Sequence, residues 1–156
     1  MRAVVQRVRN ASVAVDGDKI ASIDTGLVVL VGVVPSDTDT DADVLARKLI
    51  ALRIFPDDVG KMNLSVVDIA GSILVVSQFT LAGDIAKGRR PSFSNAAHPD
   101  HAIDVIDHLV QTVRELGVPA ETGEFGAVMD VTLTNWGPVT FVVDITDGVI
   151  TSTVAR

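Results

Sequence analysis

Cysteine is absent from this 156-residue chain, and aromatic residues make up only 4% of it. The absence of cysteine excludes disulfide bonds, thiolate metal ligands and a cysteine nucleophile. Because there are so few aromatic rings, Val, Ile, Leu and Ala must fill the core of a chain that is 47% hydrophobic. The length fits one domain, which we place at residues 1–146, and we predict a flexible tail over residues 147–156.

Long apolar runs are also missing. None approaches the roughly 20 residues that a membrane-spanning helix needs. Near the N-terminus, Gln6, Arg7 and Arg9 interrupt the apolar residues, so no signal-peptide core is present. We therefore expect a soluble, cytoplasmic protein with no membrane partner.

Basic residues are outnumbered, with 13 Lys and Arg against 20 Asp and Glu and a net charge of −7. An acidic chain repels polyphosphate, which argues against general nucleic-acid binding. One local exception is a basic cluster of Lys87, Arg89 and Arg90 within four residues. The cluster is either a solvated surface run or a local RNA contact.

The apolar pattern predicts an α+β fold with a mixed sheet and two helices. We predict helices over about 38–54 and 100–116, and strands over about 3–9, 12–15, 19–23, 26–33, 72–79, 127–134 and 139–145. Strands 26–33 and 72–79 are almost wholly apolar, so both of their faces should be covered. A helix covers only one face of a sheet, so the second layer is either another sheet or a second subunit.

Several well-known catalytic motifs are absent. The three histidines, His98, His101 and His108, form no HExxH zinc motif, and we expect no metal site. The stretch from Gly83 to Arg90 has the glycine spacing of a phosphate loop but lacks its Lys-Ser/Thr pair, and no GxGxxG or GxSxG occurs. We therefore expect no cofactor, no nucleotide hydrolysis and no serine triad.

Two polar segments remain as candidates. Ser77-Gln78-Phe79-Thr80 ends an apolar strand just before a long loop that contains glycine. It is either an ordinary strand end or a binding segment, whose freed backbone N–H groups could form an oxyanion hole. Asn135-Trp136-Gly137-Pro138 lies between two predicted strands and favours a hairpin turn. A cis bond at Gly137-Pro138 is possible, although only about 5–6% of such bonds are cis.

Taken in order, these segments resemble the D-aminoacyl-tRNA deacylase family of the bacterial and eukaryotic type. The resemblance covers residues 1–145, in blocks at 1–8, 11–13, 52–55, 60–63, 75–81, 87–93, 121–123, 125–127 with Met129, and Asn135 with 137–140. One departure stands out, because position 136 is often Asp in such sequences and is Trp here.

The resemblance implies a barrel-like β/β/α layered domain of mixed β-sheets with two main helices. It implies a homodimer with sites at the subunit interface that hydrolyses the ester joining a D-amino acid, or glycine, to the 3′ end of tRNA. Gly137-Pro138 would be cis and would reach into the partner's site to exclude L-amino acids, with Arg7 holding it in place. The implied catalytic residues are Ser77, Gln78, Phe79 and Thr80; the substrate-binding residues are Arg7, Phe125, Met129, Asn135, Gly137, Pro138 and Thr140; and the RNA-binding residues are Lys87, Arg89 and Arg90.

Alternatives remain open for both the mechanism and the function. Thr80 is either a nucleophile or a pocket residue beside backbone N–H donors, with the 2′-OH of the RNA assisting. The absence of a histidine near Thr80 in sequence favours the second mechanism. The alternative functions are a non-catalytic RNA-end-binding module and a hydrolase of small acyl esters.

Overall fold

The computed structural model describes residues 1–86 and 88–151. Its helices are α1 (Asp39–Ala51) and α2 (Pro99–Glu115), with a 3-10 helix, η1 (Phe79–Ala82). Its strands are β1 (Arg2–Val15), β2 (Asp18–Ile23), β3 (Gly26–Gly32), β4 (Phe55–Pro56), β5 (Met62–Leu64), β6 (Ser72–Ser77), β7 (Ala120–Thr122), β8 (Met129–Thr146) and β9 (Val149–Thr151). The predicted α+β class with two main helices is confirmed.

Seven strands form one mixed sheet. Its order is β7-β6-β3-β1-β8-β9, and β2 pairs with the second half of β1. The pairs β3–β6 and β6–β7 are parallel, and the other pairs are antiparallel. Within the described residues no pairing joins β7 to β9, so the sheet curls without closing into a barrel.

The sheet has a separate hydrophobic core on each face. Helices α1 and α2 pack on one face, around Leu45, Leu49, Leu109 and their neighbours. On the other face, β2 and the second half of β1 fold back over β3 and β6. The residues of this second core are Val8, Ala11, Val13, Ala21, Ile23, Val28, Leu74 and Val76. The second layer over the apolar strands is therefore the chain's own sheet.

Strand β8 differs from the prediction. We expected two strands joined by a turn at Asn135–Pro138, but residues 129–146 form one strand antiparallel to β1. The reason is long-range pairing, because the 14-residue strand β1 offers a partner to both halves. The turn-forming residues are absorbed as a bulge in which residues 136–139 stand opposite Arg7 alone.

The C-terminal residues also differ from the prediction. Residues 147–151, which we expected in a flexible tail, form a turn and strand β9, which pairs with β8. The turn is anchored because the N–H of Gly148 donates to a carboxylate oxygen of Asp41 in α1, 2.9 Å away. Residues 152–156 of the predicted tail lie outside the described part of the chain. In that described part, neither helix is long and apolar enough to cross a membrane.

Candidate active site

The first predicted segment lies where β6 turns into η1. Ser77 is the last residue of β6, and the N–H of Gln78 donates to the carbonyl oxygen of Val31 in β3, 2.7 Å away. The chain then becomes helical at Phe79, so the strand is shorter than the predicted 72–79. Gly32 permits this turn, because a Cβ at its position would lie only 2.9 Å from the carbonyl oxygen of Gln78.

Two backbone donors are left free by this turn. The first N–H groups of a helix have no partner inside it. Within the described residues, no main-chain oxygen accepts a hydrogen bond from the N–H of Phe79 or of Thr80. These neighbouring N–H groups can therefore bind a carbonyl oxygen that gains negative charge.

The hydroxyl of Thr80 has an amide neighbour. The side-chain Nε2 of Gln78 lies 2.6 Å from Oγ1 of Thr80, and the Thr80 residue is exposed. An amide is a very weak base at either of its ends, so it does not remove a proton from the hydroxyl. Among the described residues, no basic side chain hydrogen-bonds to Thr80, as a hydroxyl nucleophile would require.

The three histidines serve elsewhere in the fold. Nε2 of His101 lies 2.9 Å from the carbonyl oxygen of Asp37, and Nε2 of His108 lies 2.9 Å from Oδ1 of Asp43. Nδ1 of His98 lies 3.5 Å from a carboxylate oxygen of Asp100. In the described residues, none of these rings hydrogen-bonds to Ser77 or Thr80.

Two cavities open beside residues 77–79. The larger, of about 260 Å³, is lined by Ser77, Gln78, Phe79, Phe125 and Gly126, with α2 as its apolar wall. The smaller, of about 230 Å³, is also lined by Ser77, Gln78 and Phe79, and it adds Met129. Phe125 and Met129 therefore line cavities that also adjoin the segment with the free N–H groups.

A long loop follows the candidate site. Main-chain hydrogen bonds between Asp84 and Ser92, of 2.8 and 2.9 Å, close it at its base. Arg89 and Arg90 are exposed at its tip, and Lys87, the third predicted RNA-binding residue, lies outside the described residues.

The base of this loop contacts the site through two aromatic rings. The ring of Phe93 packs edge-on against that of Phe79, with centroids 5.0 Å apart. A Cβ at Gly83 would lie 3.0 Å from the ring of Phe93, so glycine allows the loop to approach this closely. Arg89 and Arg90 lie on this loop shortly before Phe93 in the chain.

The second predicted segment forms the bulge of β8. Asn135, Gly137 and Pro138 are exposed, whereas Val139 returns to the core with 2% of its surface exposed. The Gly137–Pro138 peptide bond is cis. The bulge thus presents Gly137-Pro138 on the surface between the half-buried Trp136 and the buried Val139.

Arg7 holds the bulge from beneath. It is 6% exposed, and its Nε donates to the carbonyl oxygen of Trp136, 2.9 Å away. Its Nη1 donates to the carbonyl oxygen of Ile54. Burial, and secondarily the neighbouring charge of Arg9, lowers the pKa of Arg7 from its ordinary value.

The ring of Trp136 packs against its own chain. It lies edge-on to the ring of Phe55, with centroids 6.4 Å apart. The guanidinium carbons of Arg7 and Arg9 lie 4.7 and 4.1 Å from the ring centroid, within the range of cation–π attraction. Sequence reasoning missed Arg9, and only its alternation with Arg7 along β1 hinted that both point to one face.

The other predicted residues of β8 lie on either side of the bulge. Asn135 pairs with Val8 of β1, and its side-chain nitrogen would lie 2.9 Å from a Cβ placed on Gly137. Oγ1 of Thr140 accepts a weak hydrogen bond from the side chain of Gln6, at 3.4 Å. Both side chains are exposed and therefore available to a ligand or a partner.

Within one chain, the two cavities described beside residues 77–79 do not extend to the second predicted segment. Neither cavity beside residues 77–79 is lined by any residue from Asn135 to Thr140. Sequence reasoning also missed Ala102 and Ile106 of α2, which line the larger cavity. Their apolar spacing was a signal, but it indicated a helix core and gave no sign of a cavity wall.

Comparisons of the sequence with known proteins agree on one family. A family profile described as D-Tyr-tRNA(Tyr) deacylase matches residues 4–144. A D-aminoacyl-tRNA deacylase of Desulfatibacillum aliphaticivorans is 55% identical over 144 residues, which cover 92% of this chain and 99% of the relative. One from Bacillus licheniformis is 56% identical, with 92% and 98% covered.

Solved structures with the same fold were also found. A structure titled c-Myc DNA Unwinding Element Binding Protein superposes with a TM-score of 0.88 and 39% identity, covering 94% of this chain and 99% of that one. A probable eukaryotic D-amino acid tRNA deacylase superposes with a TM-score of 0.79 and covers 92% and 98%, but at 20% identity it supports the fold alone.

Proposed function

The chain belongs to the D-Tyr-tRNA(Tyr) deacylase family, and on that premise we propose that it hydrolyses the ester bond of D-aminoacyl-tRNA, releasing the free D-amino acid and the tRNA. The observation that carries this proposal is the pair of free N–H groups, of Phe79 and Thr80, beside cavities lined by Phe125 and Met129. The pair supplies an oxyanion hole next to a space of the right size for an aminoacyl group or a base.

The reaction adds water to the ester carbonyl. As the water oxygen bonds to the carbonyl carbon, negative charge develops on the carbonyl oxygen, and the N–H groups of Phe79 and Thr80 stabilise it. The bond to the ribose oxygen then breaks, and that oxygen takes up a proton. Since no basic side chain hydrogen-bonds to Thr80 among the described residues, we assign proton transfer to water and the neighbouring 2′-OH of the substrate rather than to a protein nucleophile.

Selection between D- and L-amino acids is assigned to Gly137-Pro138. An L-residue places its side chain where a D-residue, or glycine, places only hydrogen. A backbone segment held at that position rejects L-residues by collision and leaves the opposite side open to many D side chains. The same geometry admits glycyl-tRNA, because glycine has hydrogen at both positions.

This arrangement requires a homodimer. We infer that a second copy supplies Gly137-Pro138, because this segment does not line the cavities beside residues 77–79 of its own chain. Apolar side chains are exposed near both segments, including Phe79 at 55%, Phe141 at 41% and Val142 at 45%. Apolar surface of this kind is typical of an interface between subunits.

The tRNA needs a basic contact, because the chain carries a net charge of −7. Arg89 and Arg90 are exposed on the loop whose base packs on Phe79 through Phe93. We propose that they bind phosphates of the acceptor end while the aminoacyl group enters the cavity. We also propose a cytoplasmic location, where aminoacyl-tRNA is formed and used.

The deciding experiment compares the hydrolysis of D-Tyr-tRNA and L-Tyr-tRNA by the purified protein, together with Gly-tRNA. We expect rapid release of D-tyrosine and glycine and no release of L-tyrosine above the uncatalysed rate. Equal rates on the D and L forms would contradict the chiral function. No hydrolysis of any form, with binding retained, would favour an RNA-end-binding module, and hydrolysis of small acyl esters alone would favour a general esterase.

A further inference from the structure

Trp136 is fixed both by its main chain and by its side chain. Its carbonyl oxygen accepts the hydrogen bond from Nε of Arg7. Its ring packs against Phe55 and lies within 5 Å of two guanidinium carbons, those of Arg7 and Arg9.

The position of Trp136 in the chain connects these contacts to Gly137-Pro138. It immediately precedes Gly137, which has no side chain to anchor, and Pro138, which is exposed. On the far side of the bulge, Val139 is anchored by its burial. The direction in which Gly137-Pro138 leaves the surface is therefore set from two sides, by Val139 and by Trp136.

The side chain of Arg9 lies over the ring of Trp136. Its residue is exposed, and no hydrogen bond or ion pair of its side chain is found within residues 1–86 and 88–151. Its guanidinium is nevertheless the closer of the two to the centroid of Trp136, at 4.1 Å. An Arg laid over the face of a Trp ring is an attractive contact even at an exposed site.

We propose that Trp136, stacked against Arg7 and Arg9, is the positioning residue that sets how strictly L-aminoacyl groups are rejected. This rests on the proposed function, in which Gly137-Pro138 excludes L-residues. The chemistry of hydrolysis, carried by the backbone of Phe79 and Thr80, is left unaltered. Trp136 and Arg9 determine the fraction of molecules in which Gly137-Pro138 occupies the position that excludes L-residues.

The expected change in the rate on L-substrates follows from the fraction of molecules in which Gly137-Pro138 is displaced. An L-substrate reacts only in the fraction of molecules whose Gly137-Pro138 is displaced. When a substitution destabilises the fixed position, that fraction rises by the same factor as the equilibrium constant for displacement. Losing one exposed cation–π contact corresponds to about a twofold to fivefold change. Losing the whole indole, with its contacts to both arginines and to Phe55, corresponds to about tenfold or more.

The test measures kcat/KM for D-Tyr-tRNA and L-Tyr-tRNA with the full-length protein and four variants. Trp136→Leu should raise the rate on L-Tyr-tRNA about tenfold or more while the rate on D-Tyr-tRNA changes less than about threefold. Arg9→Met should raise the L rate about twofold to fivefold. Trp136→Phe and Arg9→Lys, which keep a ring and a charge respectively, should restore most of the discrimination.

Two further readouts keep the outcome interpretable. Trp136 is the sole tryptophan, so its fluorescence emission in Arg9→Met reports directly on whether the stack exists in solution. Arg9 is exposed, so its variant tests the proposal even if Trp136→Leu fails to fold. An unchanged ratio of D to L rates in Arg9→Met and in folded Trp136→Leu would overturn the positioning role while leaving the proposed function intact. A wild-type protein that does not discriminate would overturn both.

Discussion

The side-chain amide of Gln78 lies 2.6 Å from the hydroxyl oxygen of Thr80, so the hydroxyl considered as a nucleophile is paired with a group that cannot activate it. A covalent mechanism would need a base in that position. In the proposed mechanism, catalysis depends instead on the backbone N–H groups of Phe79 and Thr80, which have no main-chain acceptor within the described residues.

The first prediction concerns Thr80→Ala. Because the N–H of residue 80 remains and no nucleophile is lost, we expect kcat on D-Tyr-tRNA to fall by less than about tenfold. Loss of a true nucleophile costs on the order of a millionfold in kcat. Single-turnover hydrolysis, with circular dichroism as a check on folding, separates the two cases. A folded Thr80→Ala protein with no measurable activity would restore the covalent mechanism.

The second prediction tests the N–H of Phe79 itself. Phe79→Pro removes this donor at the first position of η1, where proline fits a helix. Phe79→Ala removes the same ring but keeps the donor, so it is the matched control. We expect Phe79→Pro to lose about 100-fold to 1000-fold more kcat than Phe79→Ala, the usual cost of one oxyanion donor. Equal losses in the two variants would show that only the ring matters.

The third prediction concerns the binding of RNA. Arg89→Gln and Arg90→Gln should each weaken the binding of D-Tyr-tRNA and lower the slope of log K against log salt by about 1. Lys19→Gln, which removes an exposed cation of β2, is the control and should leave the slope unchanged. Binding is measured between 50 and 200 mM salt, on the order of the range where such contacts respond. Slopes that do not differ among the three variants would place the RNA elsewhere.

The sequence predicted the fold better than it predicted the site. The helices and most strands follow from local periodicity, as the buried faces of α1 and α2 show. The segment Asn135–Pro138 has strong local turn signals, yet its conformation is decided by pairing with β1, more than a hundred residues earlier in the chain. The Arg7, Arg9 and Trp136 contacts have the same origin, so no local pattern could reveal them.

The fourth prediction concerns stability in acid. Burial raises the pKa of the Asp41 carboxyl, but hydrogen bonds from the N–H of Gly148 and from the N–H and hydroxyl of Thr38 outweigh it and hold the pKa below its ordinary value. A lowered folded pKa means that Asp41 stabilises the protein above the unfolded carboxyl pKa of about 3.9. That contribution is lost as pH falls through the lower folded value.

Asp41→Asn should therefore reduce the free energy of unfolding at pH 7 by about 1–2 kcal/mol, typical of a lost helix cap. The difference from wild type should shrink as pH falls below about 4. Urea unfolding at pH 7, 5, 4 and 3 measures this (about the range over which a carboxyl titrates). Asp104→Asn, at an exposed position of α2, is the control and should change stability little at any of these values. A constant deficit for Asp41→Asn at all pH values would contradict the role given to its charge.

The last prediction asks whether Gly137-Pro138 acts on the partner's site, and heterodimers with differently placed substitutions answer it. Phe79→Pro disables the oxyanion hole of the chain that carries it, and Pro138→Ala weakens the excluding segment. In one heterodimer each chain carries one substitution, and in the other both lie on one chain opposite a wild-type partner. Each contains a single working oxyanion hole.

If the segment acts across the interface, the two heterodimers differ in a definite direction. With the substitutions on separate chains, the working hole faces an intact Pro138, so L-Tyr-tRNA is rejected. With both on one chain, the working hole faces the altered Pro138, so L-Tyr-tRNA is hydrolysed. Purification with two affinity tags and D and L rates on each species give the readout. The reverse pattern would place Gly137-Pro138 in the site of its own chain, and chains that remain monomeric would refute the shared site altogether.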